Sequence, residues 1–154
     1  MLKPKKPKLS FFIHELLDFR VVDGDTVECL LYLGGGITRQ SMVRLDGIDA
    51  PELHSDNKLE VKAADRVASV VSSILWKDLN LGEHSVTVEI EEKHDARGRL
   101  LGDIIVGVGF SLTNVLLGLK IVRAYDGKKA RTAWDDKQLE EIILNCDEYL
   151  SKNI

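Results

Sequence analysis

Two short acidic segments are the first candidates for chemistry. One is Asp23-Gly24-Asp25-Thr26, and the other is RLDGIDAPE at residues 44–52, which holds Asp49 and Glu52. Hard cations such as Ca²⁺ take several oxygen ligands, usually carboxylates together with backbone carbonyls and water. Two acidic segments on neighbouring strands would supply such ligands. Taken singly, each is more typical of a surface turn, because Asp-Gly is the common hairpin pair.

Two arginines add a second kind of chemistry. Arg44 opens the second acidic segment, and Arg99 follows a tight turn, Asp95-Ala96-Arg97-Gly98. A guanidinium is always charged and matches two phosphate oxygens with its fork. Arginines beside acids therefore suit a phosphate whose negative charge grows in a transition state. Either arginine viewed alone is better explained by a surface ion pair.

The surrounding pattern predicts the elements that position these residues. Valine-rich and alternating runs predict five strands, and apolar residues at helical spacing predict three helices, in the order βββ-α-ββ-α-α. The strands are expected at 19–27, 27–33, 37–45, 86–91 and 100–108, and the helices within 64–75, 112–119 and 139–150. Five short strands with a helix after the third are typical of an OB-fold. We therefore expect an α+β protein, a five-stranded Greek-key barrel with about three helices.

The length of 154 residues predicts one compact unit. Residues 1–10 are rich in lysine and proline and are expected to form an extended basic arm. Residues 11–127 are assigned to the barrel domain. Residues 128–154 are expected to form an amphipathic helix packed on the same domain. Nothing in the pattern requires a second copy, so a monomer is the default.

Composition restricts the class of protein. The formal charge of −4 and the pI near 5.6 argue mildly against a nonspecific nucleic-acid binder. Cys29 and Cys146 form no CxxC pair, which predicts two reduced, buried thiols rather than a zinc site. No apolar run approaches the roughly 20 residues of a membrane span, and His14 and Glu15 interrupt the first apolar stretch. A cytoplasmic protein without membrane contact is the expectation.

Four segments together resemble the staphylococcal nuclease (thermonuclease-like) family. They are VVDGDTV at 21–27, VRLDGIDAPE at 43–52, DARGRLLG at 95–102 and SLTNVLLGLKIVRAY at 111–125. Their order and approximate spacing match, and the resemblance covers roughly residues 18–125. The DGDT turn and the arginine-to-DAPE element are specific, and the other segments support them.

The resemblance implies a function and a set of residue roles. It implies cleavage of the DNA or RNA backbone with little base preference, dependent on Ca²⁺ or another divalent metal such as Mg²⁺. Asp25 and Asp49 match the metal carboxylates, and the carbonyl of Ala50 matches a further ligand. Glu52 matches the general base, which would leave a 3′-phosphate and a 5′-hydroxyl. The two phosphate-binding arginines of the family fall on Arg44 and Arg99.

The chain also departs from the family pattern. Arg97 and Ala96 replace a tyrosine and a lysine of the nucleotide pocket, and the family's secretion signal is missing. Tyr125 is left as the candidate that stacks on a base or ribose, and it is equally well explained as a packing tyrosine. Asp126 beside it is unfavourable for a polyanion.

The sequence therefore predicts a metal-dependent endonuclease. A nucleic-acid-binding OB module with a decayed catalytic site is the alternative, although the presence of Arg44, Glu52 and Arg99 favours the enzyme. A calcium-binding structural domain would explain the acids but would leave the arginines without a role.

Overall fold

The protein is described here by a computed structural model that covers residues 11–153, with the side chains of Phe11 and Lys93 excepted. The basic arm expected at residues 1–10 lies outside the described residues. In chain order the elements are β1 (Phe11–Asp23), β2 (Thr26–Gly34), β3 (Ile37–Leu45), β4 (Ile48–Asp49), α1 (Lys58–Leu81), β5 (Thr87–His94), β6 (Leu100–Val106), β7 (Phe110–Ser111), α2 (Leu112–Gly118), β8 (Arg123–Ala124) and α3 (Asp136–Lys152).

Five of these strands form a closed barrel, which confirms the predicted fold class. The strands β3, β2, β1, β5 and β6 follow one another as antiparallel neighbours. The barrel closes because β3 also pairs with β6, in parallel, with Arg44 opposite Leu101 and Leu45 opposite Gly102. Gly102 is required in β6, since a Cβ there would lie 2.3 Å from the carbonyl oxygen of Glu89 in the neighbouring β5. The closure carries the end of β3 to the start of β6, next to Arg99.

Three helices form, as the periodicity predicts, and α1 and α2 contact the barrel strands. The side chain of Asn57 caps α1 by accepting from the backbone N–H groups of Leu59 and Glu60. A capping box between Asp135 and Gln138 starts α3. The helix α3 packs against α1, and its buried side chains join the core that α1 shares with the strands. These side chains are Leu139, Ile142 and Cys146.

The structure differs from the sequence prediction at the first strand. β1 starts at Phe11, eight residues before the strand expected at 19, and its first part pairs with β5 from Phe11 opposite Glu91 to Glu15 opposite Thr87. Phe12 and Ile13 are both exposed, so the segment lacks the alternation of a half-buried strand. Pairing with a distant partner decides its conformation. The two-residue strands β4, β7 and β8 were likewise not predicted, because so short a segment has no period.

Among the described helices, none is long and apolar enough to cross a membrane. Both cysteines are free and buried, as expected from the sequence. Burial raises the pKa of each thiol to about 12.

Candidate functional site

The two acidic segments meet at one end of the barrel. The turn between β1 and β2 carries Asp25, and the backbone N–H of Leu45 donates to the carbonyl of Asp25 at 2.7 Å. The carboxylate of Asp25 accepts from the backbone N–H of Ala50 at 3.2 Å. Asp25 and Ala50 are only 4% and 1% exposed. Two segments that are 25 residues apart in sequence are therefore fixed against each other.

Gly24 allows this close approach. A Cβ at Gly24 would lie 2.5 Å from Cγ1 of Val67 and 2.9 Å from Cβ of Ala50. Val67 is fully buried in α1, so the turn rests directly on that helix. The glycine of DGDT is needed here for packing space, because its φ is not among the positive values of the chain.

Arg44 is a buried clamp within its own loop. Its Nη1 donates to the carbonyl of Leu45 at 2.7 Å, and its Nη2 donates to that of Ile48 at 3.0 Å. The Nη2 atom also lies 3.5 Å from the Asp25 carboxylate. Arg44 is only 8% exposed, yet it lines a surface cleft. The residue therefore shapes the turn that carries Asp49 and presents part of its charge to the cleft.

Arg99 reaches the same place from the hairpin between β5 and β6. The Asp95 carboxylate accepts from the backbone N–H groups of Arg97 and Arg99 and from Nε of Arg99. Burial acts to raise the pKa of Asp95, but these hydrogen bonds and the charge of Arg99 outweigh it and lower the pKa. The Nη1 atom of Arg99 then donates to Oγ1 of Thr26 at 3.3 Å, which itself donates to Asp25 at 3.2 Å. Arg99 is thus linked to Asp25 through one hydroxyl.

Glu52 stands at the solvent side of the site. Its backbone N–H donates to the Glu60 carboxylate at 3.1 Å, and Ser55 donates to the other oxygen of Glu60 at 2.6 Å. The first turn of α1 therefore holds the loop that carries Glu52. The Glu52 side chain is 44% exposed, which leaves it accessible to water and to a substrate.

Two further arginines, which the sequence interpretation did not select, bind the acids directly. β4 pairs with β8, placing Asp49 opposite Arg123. The Nε and Nη2 atoms of Arg123 donate to Oδ2 of Asp49 at 3.0 and 2.8 Å. Nη1 of Arg131 lies between two acids, 3.0 Å from Oδ1 of Asp49 and 2.6 Å from Oε1 of Glu52. Asp49 is 1% exposed, and both of its oxygens are bound.

Arg131 belongs to residues 126–134, a segment without helix or strand that we call the strap. Tyr125 precedes the strap, and its hydroxyl donates to the carbonyl of Lys129. Arg123 donates to the carbonyl of Thr132 and lies 3.7 Å from the centre of the Trp134 ring. The strap therefore folds back over the site and is held there by side-chain contacts.

A third acid, Asp23, faces the same cluster. Burial raises the pKa of Asp23 from 3.8 to about 7, together with a side-chain hydrogen bond to Asp25 and the negative charges of Asp25 and Glu52. In Arg131, burial acts to lower the pKa, but the hydrogen bond to Asp49 and the charges of Asp49, Glu52 and Asp25 raise it. The charges of Asp25 and Glu52 contribute to both pKa shifts, and the guanidinium groups of Arg44, Arg123 and Arg131 are the nearby counter-charges.

A cleft of about 380 Å³ opens beside these residues. Four arginines line it, together with Tyr125. These arginines are Arg44, Arg97, Arg99 and Arg131. The protein as a whole is acidic, and Asp46, Asp95 and Asp126 also line the cleft, but the four arginines outnumber these acids, a combination that suits an anionic ligand.

The metal that the resemblance implies would need free oxygen ligands from these residues. Asp25 and Asp49 lie at the same end of the barrel, as predicted. Within residues 11–153, however, no three His, Cys, Asp or Glu side chains converge as a metal-binding group. Both oxygens of Asp49 are bound by guanidinium groups, and Asp25 accepts from the Ala50 N–H. In this arrangement the residues do not fit a bound cation.

The structure brings together all six residues predicted for catalysis and metal binding, and it places Tyr125 at the edge of the cleft. Asp23 could have been selected from the sequence, because it is the first acid of DGDT. Arg131 gave no signal, since GKKART at 127–132 reads as an ordinary polar loop, and Arg123 lies in the family-like segment 111–125 but was assigned no role there. Comparison of the chain with protein-family models and with curated proteins finds no match.

Proposed function

We propose that the protein is a nuclease that hydrolyses phosphodiester bonds of DNA or RNA with little sequence preference. The observation that supports the proposal is that Arg44 and Arg99 line one cleft and are joined through Asp25 and Thr26, while Arg131 of the same cleft contacts Glu52. Three elements distant in sequence supply these groups. Isolated surface ion pairs would not bring arginines from separate elements to one concave site beside a half-exposed carboxylate.

The reaction needs a base, a place for the phosphate and a leaving oxygen. In the proposal, Glu52 takes a proton from a water molecule as the water oxygen bonds to phosphorus, a contribution of about 10²–10⁴-fold. The bond from phosphorus to the 5′-oxygen breaks, and that oxygen takes a proton from solvent. The products are a 3′-phosphate and a 5′-hydroxyl.

Arg44 and Arg99 have separate duties in this scheme. Both present a permanent positive charge to the phosphate, whose charge grows as the bond to water forms. Arg99 is 22% exposed and is oriented by Asp95. Two N–H groups of Arg44 already donate to the carbonyls of Leu45 and Ile48, so Arg44 contributes mainly its charge. Tyr125, at the rim, is in place to contact a base or ribose.

A requirement for Ca²⁺ or Mg²⁺ stays a prediction of the family resemblance. A divalent cation would neutralise the phosphate and orient it when bound. Asp25, Asp49 and the Ala50 carbonyl are the proposed ligands. Since Arg123 and Arg131 hold Asp49, no step of the scheme above is routed through a cation.

The alternative function is a nucleic-acid-binding module without cleavage. One observation favours it: Arg131 engages both Asp49 and Glu52, the two acids that catalysis would need. The four arginines of the cleft would still bind a phosphate backbone. Such binding weakens steeply as salt rises, because each phosphate contact releases counterions.

One assay separates the two functions. The purified chain is incubated with plasmid DNA, single-stranded DNA and RNA in Ca²⁺, in Mg²⁺ and in EDTA. Glu52→Gln is compared with Asp46→Asn, a matched acid-to-amide change in the same loop, where Asp46 only accepts from the Gly47 N–H. We expect Glu52→Gln to reduce cleavage about 10²–10⁴-fold and Asp46→Asn to have little effect. A gel shift without cutting would support the binding module, and equal cutting by Glu52→Gln and the wild type would refute the assigned base.

A further inference from the structure

The strap carries an internal cation into the acidic centre. A single nitrogen, Nη1 of Arg131, contacts both Asp49 at 3.0 Å and Glu52 at 2.6 Å. Arg123 occupies the other oxygen of Asp49. We propose that Arg131 takes the place of a divalent cation at this site, so that Arg131 and the cation exclude one another. The inference rests on the proposed function only in assuming that the site is one that uses a cation.

The exclusion follows from charge and space. A calcium ion binds carboxylate oxygens at about 2.3–2.6 Å, so an ion on Asp49 Oδ1 would lie within a few ångströms of the guanidinium. Two positive charges that close repel strongly where water is largely excluded, and Asp49 is 1% exposed. One of the two must leave.

Arg131 is the partner that is able to leave. Asp49 and Asp25 are fixed by strand pairing and by backbone hydrogen bonds. Arg131 lies outside any helix or strand, and its side chain is 33% exposed. The side chain of Arg131 can therefore turn out into solvent without disturbing the barrel. After leaving Asp49, Arg131 would still line the cleft beside Arg99, where it could contact a bound phosphate.

The positive charge of the cleft does not by itself account for the contacts of Arg131 with Asp49 and Glu52. Arg97 lines the same cleft and is exposed, yet within the described residues its one hydrogen bond runs from its backbone N–H to Asp95. Removal of either arginine deletes one positive charge from the cleft. Only removal of Arg131 also frees Oδ1 of Asp49 and Oε1 of Glu52. Arg97 is therefore the matched control for the contact.

The test measures Ca²⁺ binding rather than cleavage. The full chain is titrated with CaCl₂ by calorimetry, and its thermal unfolding is followed at each concentration. We expect Arg131→Ala and Arg131→Gln to bind Ca²⁺ about tenfold more tightly than the wild type or better. Arg97→Ala should stay within about threefold, since it removes only a screened charge. Arg131→Lys, which keeps the charge, should stay closer to the wild type than to Arg131→Ala.

A second variant locates the binding. Adding Asp25→Asn to Arg131→Ala should remove the gained Ca²⁺ affinity, because Asp25 belongs to the same acidic centre. Equal affinity in wild type and Arg131→Ala, absence of binding from both, or an equal gain in Arg97→Ala would each overturn the inference. Cleavage is scored separately. If Arg131→Ala gains affinity while no variant cuts nucleic acid, the inference stands and the proposed nuclease function fails.

Discussion

The two halves of the candidate site differ in how they are held. Asp25, Arg44 and Asp49 lie at strand ends, are between 1% and 8% exposed, and are fixed by backbone hydrogen bonds. The strap, residues 126–134, is mostly exposed and is held by side chains alone. The first half contributes to the stability of the barrel, whereas the second half covers the site and contributes little to stability. The barrel therefore fixes the position of each acid, and the strap decides whether its carboxylate is free to bind a ligand.

The largest expected difference between the halves is in stability. Leu45 is fully buried at the end of β3, directly after Arg44, so Leu45→Ala should lower the free energy of unfolding by about 2–5 kcal/mol. Lys129→Ala, in the strap, should change it by about 0.5 kcal/mol or less. Urea unfolding of both variants measures this. Similar losses would contradict the division into a fixed half and a covering half.

A second prediction concerns the turn that rests on α1. Gly24→Ala places a Cβ against Val67 and Ala50 at clashing distances, so we expect a loss of about 1–3 kcal/mol from overpacking. Gly118→Ala is the control, because a Cβ at Gly118 meets nothing within 4 Å. That control, at the end of α2, should be neutral or slightly stabilising. Thermal unfolding compares them, and a neutral Gly24→Ala would show that the turn yields easily.

The third prediction concerns the pH dependence of the Arg99 hairpin. The pKa of Asp95 is lowered in the folded state from its ordinary value of 3.8. Its stabilising contribution is therefore fully present above 3.8 and is lost as the pH falls through the lower folded value. Asp95→Asn should cost about 1–2 kcal/mol at neutral pH, and the gap to wild type should close in strong acid. Urea unfolding across this range measures the gap, and a constant gap would contradict the assignment.

The smallest effect is expected at the anchor of the strap. The guanidinium of Arg123 lies 3.7 Å from the centre of the Trp134 ring, a contact worth about 0.5–1 kcal/mol where exposed. Trp134→Leu removes the ring but keeps an apolar side chain, and it should cost about that amount. If the strap covers the acids as described, this variant should also move Ca²⁺ affinity in the direction of Arg131→Ala. Calorimetry measures the shift, and weaker Ca²⁺ binding would contradict it.

The sequence predicts a strand or helix correctly where the local apolar pattern matches the face that the folded protein buries. Alternation in β5 and β6 and the helical spacing in α1 and α3 come from burial of one face. β1 began earlier than expected because Phe12 and Ile13 are exposed and the pairing with β5 defines the strand. The sequence does not predict β4 and β8 either, because they too are defined by their pairing. Each is two residues long and exists only because the other lies beside it.

The sequence by itself determined the chemistry available to this protein: acids in two short segments, arginines after a strand and after a turn, and the order of strands and helices that makes a barrel. Barrel closure then placed Arg44, Arg99, Asp25, Asp49 and Glu52 at one end. Only the tertiary structure decided which charge meets which acid. Arg131 lies 82 residues from Asp49, and nothing local in a polar loop specifies a partner at that distance. The ion pair forms because the folded chain brings the strap across a buried, negatively charged centre, where an unpaired carboxylate would be costly.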